Sequence, residues 1–225
     1  MIDIKKVDWN LLTLVKSGRA LRVMYDNNPL EFCTSIIYSP FGVKSVKKDW
    51  SMFEEYYIDC SLYNEKTSDS SIEFAEFLQT LNENIKRLCK DNWNLVDIKG
   101  VSSYDNVTFN PILKQNKDYP KLMKLNLLRD KNGNFTSFLF DENKEKMVVN
   151  EDNIDEILTR GKKFRCIIEC GKIWLFNDKV GTIWNINQLK LSSKSETYNT
   201  DKDINSEEEP GIKCKVDYSV NLIDD

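Results

Sequence analysis

The segment that most restricts the fold is Gly161 to Leu191, GKKFRCIIECGKIWLFNDKVGTIWNINQLKL. It is rich in β-branched and aromatic residues and has no proline. Its breaks are Gly171 and the turn Asn177-Asp178-Lys179. Such residues favour a pleated surface, and such breaks mark strand ends. Three β segments are predicted: Lys163 to Glu169, Lys172 to Phe176 and Gly181 to Leu191. In the first, Phe164, Cys166 and Ile168 alternate with Lys163, Arg165, Ile167 and Glu169, which gives it one buried face. Trp174 and Trp184 fall on neighbouring strands of one hairpin. Lys162, Lys163, Arg165, Lys172, Lys179 and Lys190 surround them. A hairpin of this kind needs partner strands, so the chain is expected to be mainly β.

Upstream segments supply the partners. Tyr56 to Tyr63 alternates, with Ile58, Cys60 and Leu62 on one side and Tyr57, Asp59, Ser61 and Tyr63 on the other. Cys33 to Tyr38 reads as a strand, stopped by Ser39-Pro40-Phe41-Gly42. Lys121 to Arg129 and Phe135 to Phe140 read as strands joined by Asp130-Lys131-Asn132-Gly133, where Asn-Gly is a hairpin signature. Leu11, Leu12, Leu14 and Val15 fit a short helix or a strand. Asp91 to Pro120 is irregular and polar, and long for a plain connection.

Two helices are predicted. The long one runs from about Ser71 to Asn92, where Phe74, Phe77, Leu78, Leu81, Ile85 and Leu88 recur every three or four residues and make one apolar face. Ser70 and Glu73 before it have capping-box spacing. The short one runs from about Glu151 to Arg160, with Gly161 as C-cap.

The absence of histidine excludes Ser-His-Asp and Cys-His chemistry and imidazole metal ligands. No phosphate-binding glycine motif occurs. Asp59 and Asp97 are the isolated acids that a carboxylate-and-metal enzyme would use, and no spacing brings them together. The expectation is a chain without catalysis. The six cysteines, at 33, 60, 89, 166, 170 and 214, form no CxxC pair. Reduced, partly buried thiols are expected, with no metal and no cofactor. No apolar run reaches the roughly 18 residues of a membrane span, and Met1 to Trp9 lacks the apolar core of a signal peptide. The expected location is intracellular, in host cytoplasm or nucleus if the protein is viral, with no membrane partner.

Charge divides the chain. Lys and Arg total 32 and Asp and Glu total 36, a net −4. Residues 192–225 hold four of the lysines and nine of the acids, so residues 1–191 keep 28 basic and 27 acidic. The predicted organisation is a domain over 1–191, with an N-terminal extension, and a disordered acidic tail over 192–225. The tail closes with an apolar patch, Val220, Leu222 and Ile223, before Asp224 and Asp225.

Aromatic rings interleaved with cations on a sheet are what single-strand binding requires. Bases stack on rings, each stack worth about 1–3 kcal/mol, and cations neutralise phosphates. The candidate stacking residues are Trp174, Phe176, Trp184 and Tyr57. The candidate phosphate-binding residues are Lys163, Arg165, Lys172, Lys179 and Lys190, with Lys47 and Lys48 beside Trp50 and Phe53. The same pattern also fits two core tryptophans beside a solvated face.

Four pieces, Gly161-Lys-Lys-Phe-Arg-Cys-Ile-Ile168, Lys172-Ile-Trp174, Val180-Gly181 and Asn187-Gln188-Leu-Lys190, resemble the closing strands of OB-fold single-stranded-DNA-binding proteins of DNA phages and large DNA viruses. Tyr57-Ile-Asp-Cys-Ser-Leu62 and Pro120-Lys-Leu-Met-Lys-Leu-Asn-Leu127 resemble segments of proteins from nucleocytoplasmic large DNA viruses. The resemblance covers roughly residues 35 to 191. It implies a mainly β (α+β) fold, an OB-like barrel of about five to seven strands with one long and one short helix. It implies sequence-tolerant binding of single-stranded DNA in replication, recombination or repair, with RNA not distinguished and no cofactor. The acidic, apolar-tipped tail is similar to tails in such proteins that compete with DNA and recruit replication proteins. A homo-oligomer is compatible with all of this. The alternative is a structural or protein-interaction module, a virion component or replication scaffold, with the same barrel and no nucleic-acid groove.

Overall fold

Ring closure is the main fact of the architecture. The computed structural model describes residues 1–18, 20–49, 51–62, 68–95, 104–115, 120–176 and 178–192. The strands are β1 (Leu12–Ser17), β2 (Ala20–Tyr25), β3 (Asn28–Pro29), β4 (Glu31–Cys33), β5 (Ile37–Tyr38), β6 (Val43–Val46), β7 (Glu55–Leu62), β8 (Thr108–Phe109), β9 (Met123–Leu127), β10 (Phe138–Phe140), β11 (Lys163–Phe176) and β12 (Lys179–Leu191). The helices are α1 (Asp69–Asp91) and α2 (Ile154–Ile157). β5 pairs antiparallel with β7, β7 antiparallel with β9, and β9 parallel with β12. β12 pairs antiparallel with β11, which returns antiparallel to β4 and β5. Counting the broken β4–β5 pair as the first strand, the circle reads first, second, third, fifth, fourth, first. That is the closed Greek-key order of an OB barrel, with five strands in the ring.

Alternation along each ring strand fills the interior. Ile58 and Cys60 of β7, Met123 and Leu125 of β9, Cys166 and Ile168 of β11, and Ile186 and Leu189 of β12 are all buried in one core. α1 seals it. Its Phe74, Phe77, Leu78, Leu81, Ile85 and Cys89 are buried on the face their spacing defines. Phe32 of β4 meets Phe77 at 4.9 Å and Phe74 at 6.1 Å between ring centroids. Truncating a ring in such a cluster costs about 3–5 kcal/mol. The β1–β2 hairpin attaches to β11 at Leu21 opposite Ile173. Leu12, Leu14 and Val15 therefore lie in a strand, and Leu11 ends the single 3-10 turn before it.

Local chemistry moves several boundaries from their predicted places. α1 is capped by Ser68 without a side-chain bond, two residues ahead of the Ser70–Glu73 spacing. The capping box does not form, and Glu73 instead pairs with Lys5 at 3.0 Å. α2 is four residues long. The Asn150 side chain accepts from the backbone N–H groups of Asp152 and Asn153, and the Asn153 side chain accepts from that of Asn150. These turns compete with the first helical turn. The Asp130 carboxylate takes the N–H groups of Asn132 and Asn134 (2.8 and 2.9 Å), so the predicted turn is present. The hairpin stops at the Arg129–Phe135 bridge, because β10 then leaves to pair parallel with β12. The predicted strand 33–38 is split, and Thr34 Oγ1 in the gap accepts from the Cys166 N–H at 3.0 Å. The two segments predicted over 163–176 are one strand, with register shifts between Ile167 and Ile168 and between Cys170 and Lys172.

The compact unit containing the barrel is Met1–Ser193. The predicted acidic tail, together with Trp50, Tyr63, Asp97, Asn177 and Cys214, lies outside the described residues. No described helix is long and apolar enough to cross a membrane.

Candidate nucleic-acid interface

The outward residues of four ring strands form one wall. Tyr57 of β7 faces Asn126 of β9, which lies beside Asn185 of β12, which faces Glu169 of β11. The adjacent row holds Asp59 opposite Lys124, then Ile183 opposite Lys172. Further along the hairpin Trp174 faces Gly181 and Phe176 faces Lys179. In an OB barrel the second and third strands, with the loops between strands one and two and between four and five, hold oligonucleotides. Here the described parts are β7, β9, residues 39–49 and 51–54, and the hairpin end formed by Phe176, Asp178 and Lys179.

Two rings are fixed by their neighbours. A Cβ built at Gly181 would come within 2.6 Å of Trp174 ring atoms, so the indole lies against bare backbone. Only glycine allows that approach. Phe176, two residues on, is 68% exposed at the end of the hairpin. On the other side of the wall, Lys124 Nζ lies 3.5 Å from the centroid of Tyr57. Partial burial holds the Lys124 ammonium below its usual pKa, and Lys48 and Lys114 push the same way while Asp59 and Glu55 oppose them. Burial is the main cause, and the two carboxylates offset the two neighbouring lysines.

The connection over 39–54 adds charge that is partly spent. Lys44 Nζ bonds Asp59 at 2.8 Å and lies 4.5 Å from the Phe41 centroid. Lys48 pairs with Glu55, and Lys47 donates to the Met52 carbonyl. Arg129 anchors the end of this connection. Its guanidinium donates to the carbonyls of Gly133 (2.6 Å) and Glu54 (3.1 Å), pairs with Glu151, and faces the rings of Phe53, Tyr56 and Phe135.

The predicted residues separate into groups. Lys172, Trp174, Phe176 and Lys179 lie together and reach Tyr57 through Lys124. Lys47 and Lys48 flank that wall. Lys163, Arg165 and Lys190 occupy the opposite end of the β11–β12 hairpin. Trp184 needs correction as a stacking residue. It is 2% exposed, its ring meets Phe32 at 5.4 Å, and its Nε1 donates to Thr182 Oγ1 at 2.8 Å. A base cannot reach a ring enclosed by the core. Lys44, Lys124, Asn126 and Ile183 were not predicted for the wall. The alternation Met123-Lys-Leu-Asn-Leu127 carries the signal for Lys124 and Asn126.

The thiols are packing groups. Cys60, Cys166 and Cys170 are buried, and burial raises their pKa values; burial pushes Cys89 up to about 12. Among the described residues no three or more Cys, Asp or Glu side chains cluster as metal ligands would.

No family model matches the chain, and no curated protein matches it. Among solved structures it is similar to gp2.5, a single-stranded DNA binding protein encoded by bacteriophage T7, at 12% identity and a TM-score of 0.47, over 77% of this chain and 98% of that one. It is also similar to the single-stranded DNA-binding protein from bacteriophage Enc34 in complex with ssDNA, at 12% identity and a TM-score of 0.48, over 86% of this chain and 98% of that one.

Proposed function

We infer that the chain binds single-stranded DNA, without catalysis and with little regard to sequence, through the wall from Tyr57 to Phe176. One observation supports this reading: around a closed OB ring the outward rings Tyr57, Trp174 and Phe176 stand on neighbouring strands with Lys124, Lys172 and Lys179, and OB barrels hold oligonucleotides on an outer face. Rings supply sequence-tolerant stacking and cations supply phosphate contacts. The role follows from the ligand: covering exposed strands in replication, recombination or repair. The acidic residues 192–225 would compete with DNA and recruit replication proteins.

The Lys44–Asp59 and Lys48–Glu55 pairs favour a second reading, because they cancel charge on the wall. On that reading the barrel is a protein-interaction module. Titration of labelled single-stranded and duplex DNA over a salt series separates the two. A single-strand binder prefers the single strand and loses affinity steeply with salt. Equal binding to duplex, or a flat salt response, leaves the interaction module standing. Parallel titration with RNA of the same sequence tests the DNA preference.

A further inference from the structure

The wall ends at an acidic break. Asn187 Nδ2 donates to Glu31 at 2.7 Å and to Glu169 at 3.3 Å, bringing two carboxylates together on the outside of the barrel. Beyond it, towards the Lys163 end of the hairpin, the surface reverses in sign. Phe140 of β10 lies beside Lys190 of β12, and Lys190 faces Arg165 of β11. On its other side Phe140 is bridged to Lys146. The register row Lys146, Phe140, Lys190, Arg165 therefore carries three cations and a ring, with no acid. In the next row Phe138 lies beside Gln188. Leu139 between the two phenylalanines points into the core, so both rings face out. Phe138 is 44% exposed, and Lys146 Nζ lies 4.2 Å from its centroid.

These cations differ from those near β7. Among the described residues none of Lys146, Lys190 and Arg165 is held in a salt bridge. The adjoining turn carries the acids Asp141, Glu142 and Glu145. Its Asp141 carboxylate is engaged by the N–H groups of Asn143 and Glu145, at 2.8 Å each. β10 lies outside the five-stranded ring, so this patch is an addition to the barrel. From Arg165 to Lys172 the strand runs roughly 20 Å at the usual rise per residue.

We propose that this row of Lys146, Phe140, Lys190 and Arg165, with Phe138 from the next row, is a second contact for the same single strand. The chain then holds nucleic acid at two places, separated by the Glu31–Glu169 break. The occupant follows from charge and ring chemistry together: a polyanion matches the unpaired cations, and bases match the exposed Phe138 ring. The proposal rests on the single-strand reading above. A strand long enough to occupy only the wall does not feel the row. OB modules hold roughly 4–16 nucleotides, so oligomers near the two ends of that range discriminate.

The test combines Lys146→Ala, Lys190→Ala and Arg165→Ala in the full chain. Labelled oligothymidylates of about 5 and about 16 nucleotides are titrated across a salt series. Each phosphate contact adds about 0.7 to the single-strand salt slope, so the slope for the long oligomer is expected to fall by about two. Its affinity at low salt is expected to fall about tenfold or more. The short oligomer is expected to bind as it does to the unaltered chain. A separate Phe138→Ala variant keeps every charge and is expected to weaken only the long oligomer. An unchanged slope on the long oligomer overturns the proposal. An equal loss on both lengths also overturns it, since that marks a general charge effect. If the unaltered chain binds neither oligomer, the single-strand reading falls and the second contact falls with it. If the chain binds both and the variants match it, the second contact alone is wrong.

Discussion

Trp174 and Trp184 belong to one hairpin and meet different surroundings. Trp184 is buried in the core against Phe32, with its indole N–H satisfied by Thr182. Trp174 lies on the outside against Gly181, next to the exposed Phe176. The same residue type thus serves the core on one face of a β-ribbon and a ligand surface on the other. The deciding variable is strand parity, set by where the bulges fall. An aromatic pair on a hairpin therefore says little about function until each ring is assigned to a face.

The largest expected effect tests the inner face. Trp184→Ala is expected to lower stability by about 3–5 kcal/mol through the cavity it leaves. Chemical denaturation reads this directly. The fraction that remains folded is expected to bind single strands as before. If the folded fraction binds much more weakly with little change in stability, the two tryptophans have been assigned to the wrong faces.

Next in size is the outer face. Trp174→Ala and Phe176→Ala are each expected to weaken single-strand binding by about 1–3 kcal/mol. Melting temperature is expected to change little for Phe176→Ala, because its ring is already in solvent. Fluorescence titration and thermal melts on the same samples separate affinity from folding. A large melting loss with unchanged affinity would move both rings into the structural class. Gly181→Ala sharpens the point for Trp174. It leaves the ring in the sequence while displacing it from the wall, and is expected to reproduce part of the Trp174→Ala loss.

The smallest effect concerns charge rather than rings. Deleting residues 192–225 removes four lysines and nine acids, a net −5, and leaves a body of net +1. A tethered polyanion competes with DNA at high effective concentration. Truncation is therefore expected to raise single-strand affinity severalfold at low salt, and less at high salt where screening is stronger. Equal affinity of the two forms at low ionic strength would leave partner recruitment or solubility as the tail's role.

Much of the barrel is legible in the sequence, and the reasons are local. The alternation of Ile58, Cys60 and Leu62 with Tyr57 and Asp59 survives intact in β7, because no bulge interrupts it. The repeat in α1 survives for the same reason. The β11–β12 hairpin is harder to read. Cys166, Ile168 and Cys170 point inward; after the shift beyond Cys170 the inward positions become Ile173 and those two residues apart from it. A second shift near Asn187 does the same to β12, where Leu189 and Leu191 are inward but so are Ile186 and Trp184. A period of two counted without these bulges puts Trp174 inside and Ile183 with the core. The meeting of Lys124 with Tyr57 depends on pairing between β7 and β9, which lie far apart in sequence. The clustering of Lys146 with Lys190 depends on β10 leaving its hairpin partner. Neither is a local property.

The closing strand of the ring is also the last of its strands to be synthesised. β12 bonds β9 on one edge and β11 on the other, and β11 reaches back to β4 and β5 near the start of the chain. Until Leu191 exists, the apolar faces of β7 and β9 have no complete interior to enter. Pairings this distant in sequence slow folding, and an open half-barrel presents both sticky faces and unpaired edges meanwhile. The circular order that makes the finished barrel free of edges therefore makes its assembly all-or-none. The chain's most hazardous moment comes before its final strand docks.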